Sequence, residues 1–255
     1  MTQSYRQISP GLARQIRLVM TDVDGTLTPG GDNLSSTVLK AVRRLQDQGI
    51  MVGLASGRTL PRVESMSRDL GTNGPLIAEN GGVAKLKTDS KLVDLGYSRQ
   101  PAIKAVEKLK RLFPNTIEEA EDNIYRLVDV GIRSHGVRIE ELEKHLEDVE
   151  LLDSGYMLHL VEKGVSKGKT LMRLLDKIDD GDLSPEQLLV VGDSLTDIPM
   201  FQLFPHSVLI LNPRLSAEHS NAVGEAARYA SALPLGEGFA EVALYILKAR
   251  LSSDF

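Results

Sequence analysis

Apolar residues follow one another along this chain in two alternating rhythms. Short continuous runs at 17–21 (RLVMT), 50–55 (IMVGLA) and 76–78 (LIA) are separated by segments whose apolar positions recur every three and four residues. Continuous runs of strand length predict strands buried on both faces, and the three-and-four spacing predicts amphipathic helices laid over them. Residues 34–48 carry the helical spacing at Val38, Leu39, Val42 and Leu45, with Ser35 placed to cap the start and Gly49 to stop it. A second helix is predicted at about 61–70. Strand and helix alternating in this order predict a parallel sheet covered on both sides.

Past Gly81-Gly82 the rhythm changes. Residues 85–95 read as a polar hairpin, 102–113 as a helix, 116–130 as extended, 139–147 as a helix and 151–161 as extended again. Helix followed by paired strands, twice over, predicts an antiparallel sheet in an α+β insert. The alternation of Tyr125 and Leu127 with less apolar neighbours predicts that this sheet keeps one face open. From Ser166 the first rhythm returns, with a helix at 167–178, a buried strand at 187–191 (QLLVV), a strand at 208–211 and a closing helix at 240–250. The expected class is α/β: a Rossmann-like parallel-sheet core at 1–82 and 164–255, interrupted by an α+β domain at 83–163.

Composition narrows the function. The chain has 255 residues and no cysteine, which removes disulfides, thiolate zinc sites and cysteine nucleophiles together. Its formal net charge of −5 gives no electrostatic reason to bind nucleic acid, and its basic residues interleave with acidic ones, as at 138–150. The first 17 residues lack the apolar centre of a signal peptide, and no later apolar run is long enough to span a membrane. A cytoplasmic location with neither membrane nor nucleic-acid partner is expected.

Four clusters fall just past the ends of predicted strands, where a parallel sheet binds its ligands. Asp22-Val23-Asp24-Gly25-Thr26-Leu27-Thr28 follows the first strand and offers two carboxylates two apart before a glycine turn. Ser56-Gly57-Arg58 follows the second; a hydroxyl and loop amides suit a phosphoryl oxygen. Lys167 opens a helix in VSKGK and supplies a cation. Gly192-Asp193-Ser194-Leu195-Thr196-Asp197 follows a later strand. Alone, these read as an exposed turn, a helix-start turn, a surface lysine and a pair of helix caps. Yet carboxylates gathered at neighbouring strand ends repel one another unless a divalent cation holds them, and hard oxygen ligands fit magnesium.

Taken in order, D-x-D-G-T, S-G-R, K and G-D-x-x-x-D resemble the haloacid dehalogenase superfamily over nearly the whole chain. The insert between the second and third motifs is similar to that family's larger α+β cap. Gly74–Gly82, Ser154–Leu160 and Asp197–Leu203 resemble the archaeal-type phosphoglycolate phosphatase branch. Thr196 departs from the pattern, since the family commonly has asparagine there.

The resemblance implies a Mg2+-dependent phosphatase acting on a small phosphorylated substrate. Asp22 would be the nucleophile that forms an aspartyl-phosphate, and Asp24 the acid/base. Ser56, Gly57 and Lys167 would bind phosphate. The metal would be held by Asp22, the Asp24 carbonyl and Asp193, with Asp197 direct or through water. Arg126, expected on a cap strand, would read the carboxylate of a phosphorylated acid such as phosphoglycolate; Tyr156 and His159 are the alternatives. Other readings are a sugar-phosphate phosphatase of the sucrose-phosphate or mannosylphosphoglycerate type, a hexose phosphomutase, or a non-catalytic phosphate-binding regulatory module. The insert and Lys167 argue against the last.

Overall fold

A computed structural model describes residues 2–178 and 182–251. Leu18–Thr21 is buried throughout and lies between two parallel neighbours, Leu188–Gly192 and Met51–Ala55. Its side chains alternate. Val19 points with Leu189 and Val191 into one apolar core, while Leu18 and Met20 point with Leu188 and Val190 into another. Two filled faces explain why the sequence reads as an unbroken apolar run there.

The helix Ser36–Asp47 covers the first face with Val38, Ala41, Val42 and Leu45, and Ser35 accepts a hydrogen bond from the Val38 N–H at 3.2 Å. Leu60–Leu70 and Leu235–Leu251 lie on the same side. Lys167–Leu174 and Ile198–Leu203 cover the other. The full sheet has eight strands, ordered Gln3–Ser4, Tyr229–Pro234, Ser207–Leu211, Leu188–Gly192, Leu18–Thr21, Met51–Ala55, Leu76–Ala78 and Val83–Lys85. Only the last pair is antiparallel. All the strands that end in a motif therefore end on one edge.

A second sheet of four antiparallel strands runs Ile117–Glu119, Val130–Ser134, Leu158–Glu162, Val149–Asp153. Helix Gln100–Leu112 packs Ala102, Val106 and Leu109 against Val130, Ile132, Leu158 and Leu160. The opposite face, which carries Arg133 and His159, looks into the cleft between the two sheets. No helix among the described residues is long and apolar enough to cross a membrane.

Several local expectations are corrected. Residues 85–95 form no hairpin of two strands; Val83–Lys85 joins the large sheet and meets Leu92 in one isolated bridge. The large sheet thus runs three residues past the junction expected at 82. Residues 116–130 are not one extended segment: after Ile117–Glu119 the chain coils into a 3-10 turn, Glu121–Tyr125. The Asn123 side chain drives this by bonding both the N–H (2.8 Å) and the C=O (2.9 Å) of Gly131, taking the place of a strand partner. Tyr125 and Leu127 are consequently exposed off the sheet. The N-terminal tail is ordered, with a capped helix Pro10–Gln15, and Gln3–Ser4 closing the sheet edge.

Candidate active site

The first motif is built by a turn that only glycine fits. Gly25 has φ of +86°, and a Cβ there would overlap the Asp193 carboxylate. The turn thereby brings the loop after the first strand against the loop after Leu188–Gly192. Thr26 Oγ1 donates to Asp193 Oδ1 at 2.7 Å, and Asn212 Nδ2 donates to Asp193 Oδ2 at 2.7 Å. Asp197 turns back to accept from the N–H groups of Asp193 and Ser194, both at 3.0 Å.

Asp22, Asp193 and Asp197 are all buried and present carboxylate oxygens within 4.8 Å of one another. Lys167, only 1% exposed, lies between two of them, with Nζ 2.8 Å from Asp22 Oδ1 and 2.7 Å from Asp197 Oδ1. Three carboxylates face one ammonium. Burial pushes the Asp22 carboxyl well above its ordinary range; Lys167 opposes this, and Asp197 and Asp193 add to it. Asp193 is raised to about 7, by burial and then by Asp197. The Lys167 ammonium is held charged, because its two carboxylates outweigh the burial that opposes it. An all-oxygen, anion-rich, buried donor set of this kind fits a hard divalent cation such as magnesium.

Asp24 is paired differently. Arg58 grips it with two parallel bonds, Nε to Oδ2 and Nη2 to Oδ1, each 2.7 Å, and reaches Asp32 at 2.6 Å with Nη1. Arg58 itself is fixed by the turn around Ser56, whose Oγ accepts from the Arg58 N–H at 3.2 Å. The S-G-R motif thus contributes a third residue, which reading Ser56 and Gly57 as the phosphate binders had passed over.

A cleft of about 550 Å³ is lined by Asp22, Asp24, Ser56, Gly57, Arg126 and Lys167 together with cap residues Tyr156 and His159. Asp193 and Asp197 join it through their contact with Asp22. The structure thus brings every expected site residue to one place. The setting of Arg126 is corrected, however. It follows the 3-10 turn rather than lying on a strand, and it is 3% exposed. Its guanidinium binds Asp129 at 2.7 Å and Asp122 at 2.9 Å and donates to the Gly57 carbonyl at 3.1 Å. His159 Nδ1 lies 2.7 Å from the same Asp129. Burial alone would raise the Asp129 carboxyl, but His159 and Arg126 outweigh it and hold it below the usual carboxylate range. Thr196 lines the cleft with its hydroxyl 2.9 Å from that of Ser194.

A further residue escaped the sequence reading. Glu79, fully buried just past Leu76–Ala78, accepts from the N–H groups of Leu127, Val128 and Asp129 at 2.7–3.1 Å. It clasps the cap chain to the core. Burial, followed by the nearby Asp129 charge, raises its carboxyl, while the three N–H groups pull it down. Its sequence signal is its place in Gly74–Gly82, which resembles the phosphatase branch without showing what Glu79 holds.

Comparison with known proteins agrees with this geometry. A model for haloacid dehalogenase-like hydrolases matches residues 19–148 and 97–221. The chain is 29% identical over 231 residues to a phosphoglycolate phosphatase of Methanospirillum hungatei, covering 89% of this chain and 95% of that one. It is 31% identical over 232 residues to a phosphoglycolate phosphatase of Thermoplasma volcanium, covering 89% and 96%. A crystal structure of a Thermoplasma acidophilum protein superposes with a TM-score of 0.78 at 26% identity, over 91% of this chain and 98% of that one.

Proposed function

Because the chain belongs to the haloacid dehalogenase-like hydrolase family, we propose that it is a phosphatase that cleaves a small phosphorylated acid, phosphoglycolate in the first instance, through an aspartyl-phosphate on Asp22. The observation that carries this reading is the buried Lys167 ammonium bridging Asp22 and Asp197 at the floor of a cleft. A carboxylate nucleophile, a fixed cation for phosphoryl oxygens and an acid/base two residues on are the parts that such chemistry needs.

Asp22 attacks phosphorus and its oxygen forms the new P–O bond while the bond to the substrate alkoxide breaks. Asp24, entering the cycle protonated with one of its two Arg58 bonds given up to the leaving oxygen, gives that alkoxide its proton. In the second half Asp24 removes a proton from water, which attacks the aspartyl-phosphate and frees Asp22 and inorganic phosphate. Ser56 and the amides of its loop, with Lys167, stabilise charge on the transferring group's equatorial oxygens. Arg58 keeps Asp24 aimed into the cleft. Asp22, Asp193 and the Asp24 carbonyl would hold magnesium, with Asp197 behind them through Lys167 and its loop amides. When bound, the ion supplies positive charge that lowers the repulsion between an anionic nucleophile and an anionic substrate. The clasp made by Glu79 and Arg126 keeps the cap docked, limiting entry to small esters.

The test is phosphate release from a panel of monoesters with and without magnesium. Phosphoglycolate should lead the panel, chelator should abolish release, and Asp22→Asn should be inactive while remaining folded. Substantial hydrolysis by pure Asp22→Asn would remove the nucleophile assignment, and a lead for hexose phosphates would move the substrate to sugars.

A further inference from the structure

Six cations line the cleft, and the structure separates them by what they already hold. Lys167 sits with Asp22 and Asp197 at the phosphoryl site, Arg58 is held by Asp24 and Asp32, and Arg126 by Asp122 and Asp129. Arg62 faces Asp32 at 3.6 Å, and Arg133 faces Glu118 at 3.4 Å. Arg214 alone of the six meets no carboxylate among the described residues; it donates to the carbonyl of Pro29.

Its position is built rather than incidental. Asn212 accepts from the Arg214 backbone N–H at 3.0 Å with Oδ1 while donating to Asp193 with Nδ2. One side chain thereby ties Arg214 to the acidic cluster. On its other side lies Gly30, with φ of +105°; a Cβ there would come within 3.2 Å of Tyr156 Cε1 and 3.4 Å of Arg214 Nη1. The core arginine and the cap tyrosine therefore meet over Gly30. Tyr156 OH lies 3.5 Å from the same Pro29 carbonyl. The cap turn bearing Tyr156 also reaches the loop after Arg214, since a Cβ at Gly155 would stand 3.6 Å from Leu215. The guanidinium thus lies where cap and core close the cleft, with donors left over.

We propose that Arg214, steadied by Tyr156, is the residue that reads the second anionic group of the substrate, while Arg126 is a positioning residue that ties the cap to the Gly57 loop. This rests on the proposed hydrolysis of a phosphorylated acid and says which side chain selects it. A carboxylate entering here replaces the Pro29 carbonyl as acceptor and gains a charge-assisted pair that a neutral alcohol cannot form. Exposed Arg214 can be changed without opening the core.

The experiment compares kcat/KM on phosphoglycolate and on 4-nitrophenyl phosphate for wild type, Arg214→Gln, Arg214→Lys and Arg126→Lys, with magnesium at saturation. Arg214→Gln should lower efficiency on the acid about 10- to 100-fold more than on the aryl ester, the range for losing a hydrogen-bonded charge. Arg214→Lys should restore part of that selectivity. Arg126→Lys should weaken both esters together. Equal losses on both esters for Arg214→Gln overturn the assignment, as does acid-selective loss in Arg126→Lys with none in Arg214→Gln. A wild type that releases phosphate from both esters without favouring the acid overturns the substrate reading and this assignment together. A preference that survives Arg214→Gln overturns the assignment alone.

Discussion

Lys167→Met is the sharpest perturbation of the site, because methionine keeps most of the length of the buried stem and removes only its charge. Three buried carboxylates would then stand together with no cation among them. Removing one partner of a buried ion pair costs about 3–5 kcal/mol, since the remaining charge stays desolvated. For a chain of this size each kcal/mol lowers Tm by about 2–4 °C, so in chelator at pH 8 the variant should melt about 6–20 °C below wild type. The penalty belongs to ionised carboxylates whose folded pKa is raised. The folded state then binds more protons than the unfolded one, so stability falls as pH rises through the folded values and recovers towards pH 5. Magnesium should narrow the gap further: a ligand at 100 times its Kd adds about 2.7 kcal/mol, and the more negative variant site binds it more tightly. Calorimetry or a fluorescence melt at pH 5 and pH 8, with chelator and with magnesium, gives the four values needed. A variant melting within 2 °C of wild type in chelator at pH 8 would refute the claim that Lys167 offsets this charge cluster.

Three further outcomes follow from other contacts. Glu79→Ala strips the acceptor from three N–H groups, those of Val128 and Asp129 buried and that of Leu127 partly so; hydrogen exchange at Val128 and Asp129 should quicken by about 100-fold, and unchanged protection there would show that Glu79 is no clasp. The Asp129 carboxyl is depressed in the fold, so its contribution is present above about pH 4 and drains away as pH falls through its lower folded value. The stability gap between wild type and Asp129→Asn, measured by urea unfolding, should therefore shrink below pH 4 rather than widen. Arg58→Ala frees Asp24 from its two-bonded grip and should cut kcat by about 100-fold, the scale of a misplaced acid/base, and, because Arg58 is buried, should lower Tm as well; a kcat within threefold of wild type, measured where both proteins are folded, would deny Arg58 that role.

What the sequence revealed and what it hid have separate physical causes. The Asp22, Ser56 and Asp193 clusters were legible because parallel pairing forces every strand to end on one edge, whereas Lys167, which opens the helix after an antiparallel cap strand, was legible from its order among the motifs. A motif that follows an apolar run is then placed without knowledge of any distant contact. Arg126 was misplaced by one side chain: Asn123 satisfies Gly131 from outside the ladder, so a segment with strand-like alternation coils instead. The partners that give the site its electrostatics were hidden more deeply. Arg58 meets Asp24 across 34 residues, Glu79 meets Val128 across 49, and Asn212 joins Asp193 to Arg214 from a loop with no motif of its own.

These hidden contacts share a direction. The residues proposed to carry out the chemistry come from strand ends or, for Lys167, a helix start, and announce themselves by spacing. What holds them in place, and the residue proposed to choose the substrate, becomes visible only when two distant loops meet, even where the holder, as Arg58 or Glu79, itself follows a strand end. Arg126 shows how far this reaches: its residue type suits a carboxylate, but two aspartates were already there to receive it. A guanidinium is open to an incoming carboxylate when no carboxylate of its own protein already holds it, and Arg214 meets a carbonyl instead. In this cleft that condition, rather than the identity of the residue, moves the expected contact with the substrate's acid group from the cap to Arg214 in the core.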